Sequence, residues 1–83
     1  MELGIADLVR TAPDWTKADP LSTEVRAWLD QAYHAVWEID PIQAYVLRLH
    51  AQCLTKDARR HSAEIIETLR RVAWKVEKLQ RGW

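Results

Sequence analysis

From residue 21 onward, apolar side chains recur at intervals of three and four, the spacing of one face of an α-helix. Between 21 and 39 the seam is Leu21, Val25, Leu29, Ala32, Val36 and Ile39, widened by Trp28 and Ala35. Pro20 suits a first helical turn, and Asp19 or Ser22 can cap it. Asp40-Pro41 ends this helix, because the residue before a proline is pushed away from helical dihedrals. The same pair opens the next helix. Asp40 is the cap, Pro41 takes the first helical position and Gln43 stands where a capping box needs it.

That helix, predicted over 41–54, carries Ile42, Val46, Leu49 and Cys53 on one seam with Tyr45 beside it. Its other side, Ala44, Leu47, Ala51 and Leu54, is apolar as well, as in a buried central helix. After a break at Thr55-Lys56-Asp57, a last helix over 57–81 alternates steps of four and three through Ala58, Ser62, Ile65, Leu69, Val72, Val76, Leu79 and Trp83. This is a coiled-coil-grade repeat, with Glu67–Arg71 and Glu77–Arg81 as supporting pairs and Gly82 as the closing cap. Upstream, residues 2–10 suit a short helix with Leu3, Ala6 and Val9 on one side, too short to persist undocked. TAPDWTKADP reads as an ordered loop in which Trp15 reaches the core. The expectation is an all-α fold: one domain over 1–83, three principal helices (21–39, 41–54, 57–81) and an N-terminal helix or arm within 1–20.

Helix lengths add a second expectation. At about 1.5 Å per residue the last helix spans roughly 37 Å and the one before it only about 21 Å, so its seam outruns its neighbour. With a second apolar face on the 41–54 helix, this predicts a homo-oligomer, most simply a two-fold dimer. The surface expected to carry association is Ile65, Leu69, Val72, Val76, Leu79 and Trp83.

Composition narrows the field. Both glycines, Gly4 and Gly82, lie near an end, leaving no place for phosphate loops, dinucleotide fingerprints or nucleophile elbows. Cys53 is the single cysteine, so no intrachain disulfide forms. No stretch approaches the roughly 18 apolar residues of a membrane span, and MELGIADLVR carries no export-signal core. A cytoplasmic protein without a membrane role is expected. The 12 basic and 12 acidic side chains cancel, but unevenly. Residues 1–54 hold four basic and eight acidic groups, and residues 55–83 hold eight and four, a balance of −4 against +4.

Chemistry is sparse. His50 with Cys53, His34 with Glu38 and His61 with Glu64 share helix faces and offer metal-ligand pairs; the alternative is a small core thiol with histidines at the core edge. No metal or cofactor is expected, and no nucleophile–base set emerges that would make the chain an enzyme. Two tryptophans fall off their seams. Trp74 sits opposite the last seam, framed by Arg70, Arg71 and Lys78, and Trp37 lies near Tyr33. An aromatic framed by cations is a contact patch for a protein, a nucleic-acid strand or another subunit; a lone surface tryptophan packed by its neighbours is the alternative.

Two short resemblances accompany this reading. Glu64-Ile65-Ile66-Glu67 resembles the first half of the metal-binding helices of MazG-like nucleotide pyrophosphohydrolases, whose second acidic pair has no counterpart after Glu67. Val46, Leu47, Leu49, Ala51, Leu54 and Thr55 resemble the opening of LuxR-type helix-turn-helix regulators, with Cys53 in place of the usual glycine. That resemblance implies a DNA-binding regulator; independently of it, the basic face of the last helix offers Arg59, Arg60, Arg70, Arg71 and Lys78 as phosphate-contacting cations. The leading expectation is a non-enzymatic, oligomeric protein–protein interaction module; the small dimeric DNA-binding regulator is the alternative.

Overall fold

The computed structural model describes residues 4–15, 17, 19 and 21–80. Four helices follow one another: α1 (Ile5–Arg10), α2 (Thr23–Trp37), α3 (Pro41–Gln52) and α4 (Ala58–Gln80). No strand occurs among the described residues. The all-α expectation is met. Expectations for Arg81, Gly82, Trp83 and Leu3 lie outside the described residues.

Each helix starts where a side chain satisfies its orphan amides. Ser22 caps α2, its Oγ accepting from the Val25 amide at 3.2 Å, while Asp19 Oδ1 accepts from Leu21 N at 2.9 Å in the preceding turn. Leu21 therefore stands outside the helix and is exposed rather than on its seam. At the other end, the Ile39 and Asp40 amides both turn back onto the Val36 carbonyl, at 3.0 and 2.8 Å, and α2 closes at Trp37. Asp40 Oδ1 accepts from Ile42 N at 3.1 Å and Gln43 N at 3.3 Å, with Pro41 at the first position of α3. The reciprocal half of the expected capping box is not formed. The Asp40 amide is committed to Val36, and Gln43 Oε1 accepts from the Arg71 guanidinium at 3.3 Å. That bond also takes Arg71 away from Glu67, its expected helical partner. Asp57 opens α4, accepting the Arg60 amide at 3.2 Å.

The core is one cluster drawn from all four helices: Ile5 and Leu8 of α1, Trp28, Ala32 and Val36 of α2, Ala44 and Leu47 of α3, Leu54 after it, and Ile65, Leu69 and Val72 of α4. Packing runs α2 on α3 and α3 on α4, with α1 laid against α4 and α2. The short first helix thus supplies what α3 lacks in length. It docks chiefly through Ile5 and Leu8; of the face expected from the sequence, Val9 packs against the core while Ala6 is exposed. Tying it down, the Trp28 indole N–H donates to the Leu8 carbonyl at 3.1 Å. Trp15 meets Trp28 edge-to-face, centroids 5.9 Å apart at 74°, which places it against the core as expected.

The buried hydroxyls on α4 resolve themselves locally. Ser62 Oγ donates to the Arg59 carbonyl at 3.1 Å and Thr68 Oγ1 to the Glu64 carbonyl at 2.8 Å, the back-bonding that lets such residues face a core. Ser62 therefore continues the seam instead of breaking it. The described chain measures 41 × 24 × 18 Å, its long dimension close to the roughly 35 Å of a 23-residue helix such as α4.

Candidate interaction surface

The last seam, expected to be the association surface, is largely spent inside the chain. Ile65, Leu69 and Val72 are at most 1% exposed. The short α1 packs on α4 beside α3, and the two together cover these residues. Val76 is half-buried, and only Leu79, at 70% exposure, remains open near the end of the described helix.

The open apolar surface lies on α3 instead. Its core-facing side is Ala44, Leu47, Ala51 and the following Leu54, whereas the Ile42–Leu49 seam points outward. Ile42, Tyr45 and Leu49 are 74%, 60% and 44% exposed, and their three- and four-residue spacing puts them on one helix face. Trp37, at the end of α2 beside the turn into α3, is also exposed. Its ring lies 6.1 Å from that of Tyr33, and the Arg48 guanidinium sits 5.9 Å from the Tyr33 centroid. Arg48 comes from α3 and Tyr33 from α2, so the row crosses from one helix to the other. Within Pro41–Gln52, Arg48 is the only Asp, Glu, Lys or Arg.

Trp74 is exposed, as its position opposite the seam predicts, and the Lys78 ammonium lies 4.0 Å from its ring centroid. Arg59, Arg60, Arg70 and Arg71 are also exposed. From Arg59 to Lys78 these cations are strung over about 28 Å of a single unbroken helix, not gathered at one spot. Arg71 is engaged with Gln43, and Lys75 donates to Asp40 Oδ2 at 3.1 Å. That contact is the main reason the Asp40 carboxyl is held below its ordinary range; the Gln43 and Ile42 amides pull the same way, against a smaller opposing effect of desolvation.

Among the metal-ligand pairs, the helices unite members of two. His50 Nδ1 of α3 and His61 Nδ1 of α4 meet at 2.9 Å, both half-buried. His34 instead turns back to Asp30, at 3.4 Å, and not forward to Glu38. No group of three His, Cys, Asp or Glu side chains converges on one point among the described residues. No described helix is long and apolar enough to cross a membrane.

A groove of about 780 Å³ runs between α1, the second half of α2 and α4. Its walls include Ile5, Leu8, Ala35, Ile39, Ala73 and Val76, with Asp30, Glu38 and Glu77 also lining it. Sequence reasoning missed it because it exists only where α1 bridges two other helices.

No protein family, curated protein or solved structure matches the chain. The functional reading therefore rests on these surfaces.

Proposed function

We propose that this chain is a non-enzymatic interaction module that self-associates as a two-fold dimer, with the outward face of α3 as the meeting surface. The observation that carries the reading is the exposed row Ile42, Tyr45 and Leu49 on α3; the exposed Trp37 and the half-buried Tyr33 on α2 are joined to α3 through Arg48. Single exposed apolar residues are ordinary, but a row of large ones along one helix is the pattern of a contact surface. Aromatic and arginine side chains are the usual anchors of such contacts.

A second copy fits this face for an electrostatic reason. An isologous contact brings each patch against itself, so like charges meet. With Arg48 as its single formally charged side chain, already over Tyr33, α3 brings little charge to repel its twin and little to desolvate. The acidic character of residues 1–54 resides elsewhere in that half of the chain.

Sedimentation velocity over a micromolar concentration series tests the reading. A dimer is expected, converting to monomer in Ile42→Asp and in Leu49→Asp with the helical circular dichroism unchanged. A parent chain that stays monomeric, or a dimer indifferent to both substitutions, overturns it. Titration with duplex DNA across a salt series, beginning near 50 mM, addresses the alternative regulator; salt-sensitive binding dependent on Arg59, Arg60 and Arg70 would replace the present proposal.

A further inference from the structure

We propose that the groove between α1, α2 and α4 is a binding site for a small amphipathic cation, an aliphatic or aromatic body that carries a protonated amine. The floor of the groove is apolar. Ala35, Ile39, Ala73 and Val76 line it, and each packs against the core while keeping part of its surface open. Ile5 and Leu8 add to this lining from α1. The volume, about 780 Å³, falls within the roughly 300–1,000 Å³ of small-molecule sites, which pair an apolar lining with a few placed polar groups.

The polar groups of this groove carry one sign. Asp30, Glu38 and Glu77 line it, all three exposed, and no Lys or Arg is among its lining residues, a formal charge of −3 with His34 neutral. His34 itself is turned onto Asp30, its Nε2 3.4 Å from Oδ1. Asp30, His34 and Glu38 follow at four-residue steps, so they share one side of α2 over about 12 Å. Glu77 follows Val76 on α4, which puts acidic groups on both of the long helices that border the apolar floor. Glu38 also stands at the C-terminal cap of α2, where the partial negative charge of the helix end favours a cation. An anionic ligand would meet repulsion here, and an uncharged one would leave the acidic rim unused.

The size of the groove chooses between a small molecule and a basic helix. A helix is about 10–12 Å across, so the length that matches the Asp30–Glu38 stripe would fill about 900–1,400 Å³. The groove holds less than that and encloses a compact body instead. No residue of α3 lines it, so its occupancy is independent of association through the α3 face.

The test is an amide NMR titration of the full chain with octylamine, octanol and octanoate, which share one apolar chain and differ in charge. Octylamine is expected to saturate, with shifts centred on Ala35, Ile39, Ala73 and Val76. Octanol should bind the same residues at least about threefold more weakly, and octanoate at least about tenfold more weakly, differences that shrink as salt screens the exposed carboxylates. The double variant Glu38→Gln, Glu77→Gln should bring octylamine to the affinity of octanol and leave octanol unchanged. Ala73→Leu, which narrows the groove, should weaken both; if it loses its helical circular dichroism, Ala35→Leu takes its place. Absence of saturable octylamine binding, octanol binding as tightly as octylamine, shifts centred on Ile42, Tyr45 and Leu49 instead, or affinity indifferent to both kinds of variant overturns the proposal.

Discussion

The indole N–H of Trp28 donates to the carbonyl oxygen of Leu8 at 3.1 Å, joining residues twenty apart in the chain. Leu8 is fully buried and Trp28 nearly so, so the bond is shielded from competing water. Trp28→Phe should cost about 1–3 kcal/mol, from the lost donor and the slack around a smaller ring. Leu8→Ala should cost about 2–5 kcal/mol, the range for emptying a packed leucine site. Urea unfolding followed by circular dichroism measures both.

Trp15 provides the contrasting case. Its ring packs against Trp28, yet its Nε1 is buried with no hydrogen-bond partner among the described residues. Trp15→Phe removes this donor while keeping an aromatic edge in place. Its stability should stay within about 1 kcal/mol of the parent, well short of what Trp15→Ala loses at about 3–5 kcal/mol.

Acid sensitivity should trace to Asp40. Its folded-state carboxyl titrates below the ordinary range because Lys75, then the Gln43 and Ile42 amides, favour the charged form. A depressed folded value means the unfolded chain binds the proton more readily. The stabilisation is thus complete above the unfolded-state value and is lost as pH falls through the folded-state value. Asp40→Asn retains a capping side chain but removes the charge, so the acid limb of the stability curve should flatten relative to the parent. Urea midpoints from neutral pH into acid give the comparison; parallel curves would refute the assignment.

Trp74 should be dispensable for folding. At 58% exposure, with Lys78 stacked on its ring, it contributes little to the core. Trp74→Ala should shift stability by no more than about 0.5–1 kcal/mol, the worth of an exposed cation–π contact. A loss of several kcal/mol in thermal unfolding would show the side chain to be structural.

The helices were legible because proline, serine and aspartate mark their starts and the apolar spacing marks their faces. Trp28 was legible as core, and Trp74 and Trp37 as lying off their seams, from helical register; Trp15 was legible only as an apolar anchor in a loop. The orientation of α3 was not. Ile42-Val46-Leu49-Cys53 and Ala44-Leu47-Ala51-Leu54 are both apolar at helical spacing, and the smaller set faces inward. Alanines at 44 and 51 let α3 approach its neighbours closely, an advantage that a count of apolar bulk ranks the wrong way. The role of α1 was hidden for a related reason. Six helical residues carry too weak a periodic signal to reveal Ile5 and Leu8 as the cover for α4. The meeting of His50 with His61 depends on the relative placement of two helices, which spacing along the chain does not specify.

Because α1 is only six residues long, it has almost no tendency to hold its shape unaided, and its order is borrowed from the helices it touches. The Leu8 amide, bonded to the Gly4 carbonyl at 3.1 Å on a residue with no exposed surface, is then a reporter for the rest of the molecule. Its hydrogen exchange should run at the pace of the Leu69 amide at the centre of α4, even though it lies near the start of the chain, where fraying is the rule. A fast Leu8 amide beside a slow Leu69 would instead mark α1 as a separate opening unit, releasing the covered end of α4 without unfolding the rest.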